Sequence, residues 1–200
     1  MRPFWRFMTD FGEIGLLLPC SLALCTLLWL HGARHAVKWF VLCWSGCLGL
    51  LLIGKLLLIP CTMHWDLALR SPSGHAGASL FFYGALGWLL LRHAPRSVGW
   101  PTALLAVLLM LGVPLSRVML GMHSVAEVVA GVCVGLGWLT LFARREYGTP
   151  RPRLRPAALG IGLLAVSALA SGAPHVPAEL AIRDAAHWLQ SAFSSCRLIP

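Results

Sequence analysis

Two short stretches hold most of the residues in this chain that are equipped for chemistry. One is Arg70-Ser71-Pro72-Ser73-Gly74-His75; the other joins Ser116-Arg117 to His123-Ser124-Val125-Ala126-Glu127. His123 and Glu127 are four apart, a spacing that puts two side chains on one helical face. A carboxylate there holds the imidazole in one tautomer and leaves the other ring nitrogen to attack. His75 is a second imidazole, suited to passing a proton to a leaving oxygen. Ser73-Gly74-His75 opens an apolar run, and at a helix start the unpaired amides and the positive dipole end favour an anion. Gly74 has no Cβ to keep that anion away. Arg70 and Arg117 are fork-shaped donors matched to phosphate oxygens, and Lys55 adds a point charge. Nucleophile, orienting carboxylate, acid and cationic cradle are the parts of a phosphoryl transfer that uses neither metal nor cofactor.

The elements that must position these residues follow from composition. The chain has 200 residues, of which 58% are hydrophobic and 12% charged, against about 25% charge in a soluble domain. That excludes a soluble enzyme, a disordered chain and a disulfide-stapled miniprotein. The net charge of +9 comes from short cationic clusters between apolar runs, the pattern of membrane flanks and not of a nucleic-acid face.

A span needs about 20 apolar residues and must be helical, because lipid offers no partner to backbone polar groups. Six spans are expected: Ile14–Leu30, Val37–Ile59, Ala76–Leu91, Thr102–Leu120, Val125–Phe142 and Ala157–Ala173. The fold class is therefore all-α, a polytopic six-helix transmembrane bundle forming one domain over residues 1–200. The first 12 residues, with Phe4, Trp5, Phe7 and Phe11 among Arg2, Arg6 and Asp10, read as an interfacial segment and not as a signal peptide. Beyond Pro174 and Pro177, Glu179–Phe193 reads as an amphipathic helix with Ala181, Ala185, Trp188, Leu189 and Ala192 at helical spacing.

Six spans place both termini on one face, together with both chemical stretches. That face carries seven of the Lys and Arg residues and the opposite face nine, Arg144 to Arg155 contributing most of the excess. The positive-inside rule then makes the richer face cytoplasmic and turns the termini and the site outward. Setting aside Lys55, Arg70 and Arg117 as site residues widens the difference. His31, His35 and His93 lie among the cytoplasmic-side cations and are expected at the interface. The seven cysteines show no zinc-type spacing; Cys61 and Cys196 share the outer face, where a disulfide is conceivable.

Pro72-Ser73-Gly74-His75 followed by Ser116-Arg117-x5-His123-x3-Glu127 resembles the type 2 phosphatidic acid phosphatase (PAP2) family, whose pattern is PSGH and then SR-x5-H-x3-D. The resemblance covers Lys55 to Glu127. It implies a membrane phosphohydrolase without metal or cofactor, with His123 as nucleophile forming a phosphohistidine and His75 as general acid. Ser73, Gly74 and Arg117 would bind phosphate, and the substrate would be a lipid phosphate or a polyprenyl pyrophosphate held among membrane lipids. Two departures stand out: no Arg-Pro follows Lys55 as in the family's K-x6-RP, so Arg70 is the candidate replacement guanidinium, and Glu127 stands for the usual Asp. They keep two alternatives open, a lipid phosphotransferase of the same mechanism and an inactive lipid-phosphate-binding membrane protein.

Overall fold

The computed structural model describes residues 1–65, 71–148 and five positions near the C-terminus (182, 184–186 and 188); of residues 60–65 the backbone alone is described. Among the described residues six helices have bounds, α1 Arg2–Asp10, α2 Ile14–Leu30, α3 Arg34–Trp65, α4 Gly74–His93, α5 Arg96–Met119 and α6 Val125–Tyr147, and there is no strand. Four of these, α3 to α6, are long and apolar enough to cross a membrane, and the pair α1 and α2, bent by 40°, makes a fifth candidate among the described residues. This is a multi-pass membrane protein. The expected span Ala157–Ala173 and most of Glu179–Phe193 lie outside the described residues. The five C-terminal positions are helical, but Ala185 and Trp188, expected to share an apolar face, are both exposed, and Ala186 is the buried one.

Helix α4 is the axis. Two thirds of its apolar window (67%) is buried inside the protein, against 28% for each of α3, α5 and α6, and it packs against α2, α3, α5 and α6. Its middle carries Phe81 and Phe82, which meet Phe40 and Trp44 of α3 and Phe142 of α6; the Phe40–Phe81 and Trp44–Phe81 ring centroids are 5.7 and 5.6 Å apart. Outward-facing positions are as apolar as the core: Leu104, Leu108 and Leu111 line the exposed side of α5. Lipid is no less apolar than leucine, so helix association here depends on close packing more than on hydrophobic burial.

Glycines supply that closeness between α4 and α6. A Cβ on Gly135 would stand 2.5 Å from the Gly77 carbonyl oxygen, one on Gly77 would stand 2.7 Å from that of Gly131, and one on Gly131 would collide with the Ser73 carbonyl. The two backbones therefore touch along the segment that ends at Ser73.

Several helices run further than the apolar patterning predicts. α3 continues through Pro60 to Trp65, and α5 begins at Arg96, ahead of Pro101. The ring of Pro101 denies an amide to the Ser97 carbonyl, and Thr102 bonds back to the Val98 and Gly99 carbonyls in the same turn. Proline is tolerated in such spans where neighbouring groups take up the freed backbone positions.

Candidate active site

The SR-x5-H-x3-E spacing is two helix caps in sequence. α5 ends in a Schellman turn: Gly121 has φ +67°, Met122 N–H donates to the Arg117 carbonyl at 3.0 Å, and Gly121 N–H donates to that of Val118 at 2.9 Å. His123 N–H reaches the same Arg117 carbonyl at 3.3 Å. The next residue, Ser124, caps α6 in a capping box, its hydroxyl accepting from Glu127 N–H while Glu127 Oε2 accepts from Ser124 N–H at 2.9 Å. His123 thus lies one residue outside the helix and does not share a helical face with Glu127 as the spacing predicts. The pair meets because the capping carboxylate bends back: His123 Nδ1 is 3.1 Å from Glu127 Oε2.

Glu127 also ties this loop to the other motif. Its Oε1 accepts from Ser71 N–H at 3.0 Å, and its backbone carbonyl accepts from Ser73 N–H at 3.0 Å. Ser73 is fully buried and caps α4 through Ala76 N–H at 3.4 Å, which makes Gly74 and His75 the first two residues of that helix. Their amides have no intrahelical acceptor by construction.

Lys55, on α3, is 4% exposed. Its Cε would stand 3.6 Å and its Nζ 3.9 Å from a Cβ on Gly74, while a Cβ on neighbouring Gly54 would meet Pro72 at 2.9 Å. The lysine therefore lies under the Pro72-Ser73-Gly74 turn. A buried ammonium is costly unless anions or dipoles face it. His75 stands against Gly12, whose hypothetical Cβ would lie 3.2 Å from His75 Cβ and Cδ2. Arg117 donates from one terminal nitrogen to Thr9 Oγ1 at 3.0 Å.

Seven of the eight expected residues are thereby gathered at one end of the bundle: Lys55, Ser73, Gly74, His75, Arg117, His123 and Glu127. Arg70 lies outside the described residues, as do the side chain of Cys61 and all of Cys196. Residues the sequence reading passed over are Ser71, Thr9 and Gly12. Ser71 contributes only its amide, which no residue type advertises.

The electrostatics favour an uncharged His123. Burial pushes its pKa below the ordinary 6.5. The Glu127 hydrogen bond and charge pull it up, and the Arg117 and Lys55 cations push it down again. Glu127 Oε2 is already an acceptor toward Ser124, so the proton of a neutral His123 belongs on Nδ1, and Nε2 keeps its lone pair. An imidazole so arranged beside two cations and a helix N-terminus is suited to attack on an anionic phosphorus centre.

Residues 57–151 match the family model of the PAP2 superfamily. The matched segment makes up just under half of the chain, holds both motifs and begins two residues after Lys55, so the case for Lys55 is geometric. The chain is 28% identical over 153 residues to an uncharacterized 22.5 kDa protein in the cps region of Klebsiella pneumoniae, covering 74% of this chain and 72% of the relative. It is 33% identical over 86 residues to a lipid A 4'-phosphatase of Helicobacter pylori, covering 43% of this chain and 38% of that enzyme. No solved structure matches significantly.

Proposed function

We propose that this protein is a membrane phosphatase that removes a phosphate or pyrophosphate from a lipid on the non-cytoplasmic face through a phosphohistidine. One observation carries the reading: a single carboxylate, Glu127, accepts from the His123 ring, from the Ser124 amide and from the Ser71 amide. It orients the nucleophile and anchors the phosphate-binding turn together. The phosphatase in Helicobacter pylori supports a lipid-linked phosphate as substrate, as does the position of these residues at the ends of apolar helices, where an acyl or prenyl chain stays in the bilayer while its headgroup enters. The distribution of Lys and Arg supports an outward-facing site.

In this mechanism His123 Nε2 attacks phosphorus while Lys55, Arg117, Ser73 and the Gly74 amide hold the phosphoryl oxygens, with Arg70 as a further guanidinium. The P–O bond to the lipid breaks, and His75 delivers a proton to the departing oxygen. Water then attacks the phosphohistidine with His75 taking its proton, and phosphate leaves. Glu127 steadies the imidazolium character that develops on His123.

The test is phosphate release in detergent from phosphatidic acid, phosphatidylglycerophosphate, undecaprenyl pyrophosphate and lipid A phosphates. Release from at least one that persists in EDTA and disappears in His123→Ala is the expected result. Equal rates for His123→Ala and wild type would overturn the assignment of the nucleophile.

A further inference from the structure

Helix α1 is exposed along almost its whole length: Arg2, Phe4, Arg6, Phe7 and Asp10 all face outward. Thr9 is the exception, 7% exposed, and its hydroxyl oxygen accepts the 3.0 Å hydrogen bond from Arg117. The two residues are 108 positions apart. We infer that Thr9 is a positioning residue for Arg117, which makes α1 a wall of the phosphate site. The inference rests on the reading of Arg117 as a phosphate ligand.

Three features place Thr9 independently of that bond. Met8 packs on Gly112, where a Cβ would come 2.9 Å from its sulfur. Gly12 fits between Val113 and His75, so close that a Cβ there would stand 2.5 Å from Val113 Cγ1. Tyr83 Oη, on α4, donates to the Phe11 carbonyl at 2.9 Å. The residues either side of Thr9 are thus docked on α4 and α5, and the hydroxyl is presented to Arg117 by a rigid support.

The chemistry explains why a hydroxyl suits that position. Arginine has many rotamers, and ordering it on a ligand costs side-chain entropy. A fixed acceptor on one terminal nitrogen sets the plane of the guanidinium before substrate arrives, and a planar fork grips phosphate well only when its plane is set. A carboxylate in the same place would cancel the charge that the anion needs. A threonine oxygen orients without neutralising, and the Arg117 charge remains strong enough to help hold His123 uncharged.

The experiment compares wild type, Thr9→Val and Thr9→Ser in detergent, reading turnover of a lipid phosphate and calorimetric binding of orthovanadate. Valine keeps the shape and removes the acceptor; serine keeps the acceptor and removes a methyl. Thr9→Val is expected to weaken orthovanadate binding and kcat/KM by about 10- to 150-fold, the range for a lost hydrogen bond to a charged group. Thr9→Ser should stay within about threefold of wild type, and tryptophan-monitored melting should be alike for all three. Thr9→Val with wild-type binding and turnover overturns the inference. Equal damage in both variants also overturns it, because that is the behaviour of a packing residue. A wild type that binds orthovanadate but turns over no lipid phosphate would sink the enzymatic proposal instead, leaving Thr9 judged on binding. A wild type that binds none overturns both.

Discussion

A histidine faces a glutamate at each end of the α4–α6 pair, and the two ends are built differently. At the end where both helices begin, His123 and Glu127 are 3.1 Å apart, from one cap, with side chains 9% exposed. The carboxylate there is held by two backbone amides besides the ring, and Lys55 and Arg117 lie near enough to act on the imidazole. At the end where both helices finish, His93 Nε2 and Glu146 Oε1 are 3.7 Å apart, from different helices, with side chains 1% and 2% exposed. The cation pattern predicts His93 at the interface; the structure buries it instead. An imidazole at the end of a span is drawn inward when a carboxylate on the facing helix can pair with it, since a buried charge is tolerated only when partnered. The difference teaches that a His–Glu pair becomes a reactive group through its surroundings, meaning access, cations and a carboxylate fixed by the backbone. Sealed between two helices, the same pair is a cross-brace.

The comparison can be broken first at Glu127. Glu127→Gln keeps the shape of the cap and removes the charge, and kcat should fall by about 100-fold or more. The residual activity also has a signature in pH. His123 must be neutral to attack, so its lowered pKa puts the acid limb of kcat/KM below the ordinary 6.5. Glu127 raises that pKa, so its neutralisation should move the limb to still lower pH. A limb that moved upward would show that another group controls it.

Gly131→Ala tests whether the His123–Glu127 end depends on the helix contact beneath it. Its new methyl meets the Ser73 carbonyl, which has no flexible side chain to yield. A stability loss of about 1–3 kcal/mol is expected, with activity falling roughly tenfold as the phosphate-binding turn is displaced. Denaturation in SDS mixtures and phosphate release read the two effects separately. An active, stable Gly131→Ala protein would mean that α4 and α6 can part without cost to the site.

The smallest effect on activity is expected at the His93–Glu146 pair. His93→Gln combined with Glu146→Gln should leave turnover within about threefold, while either single change lowers stability. A double-mutant cycle should return a coupling of about 1–3 kcal/mol. If His93→Gln abolished turnover in a protein that melted like wild type, this pair would have to be counted in the mechanism.

How much was legible in the sequence divides along the same lines. The spans from Ile14 to Phe142 and the helix start at Ser73-Gly74-His75 were readable because apolar length and helix starts are local properties, whereas the cap at Ser124 was missed and His123 was placed on the helix. Helix ends were misjudged at Pro60 and Pro101, since a membrane span tolerates an internal proline that would end a soluble helix. The Thr9–Arg117 bond had no signal, because a threonine on an amphipathic helix looks like any other polar residue until the helix is docked. Gly12 and Gly131 read as ordinary glycines; the backbone or side chain that each one admits belongs to a distant element.

The order of residues alone determined that this chain lives in a bilayer, where its helices run, and which imidazoles, cations and carboxylate could handle phosphate. Those follow from apolar length, turn chemistry and short spacings, all of which act within a few residues. Only the packed structure decided that Glu127 joins both motifs, that Lys55 lies beneath Gly74, that Thr9 takes hold of Arg117, and that His93 is sealed with Glu146. Each of these is a contact between helices brought together by close packing at small residues, and a hydrogen bond of about 3 Å between distant segments exists only once that packing has set their separation.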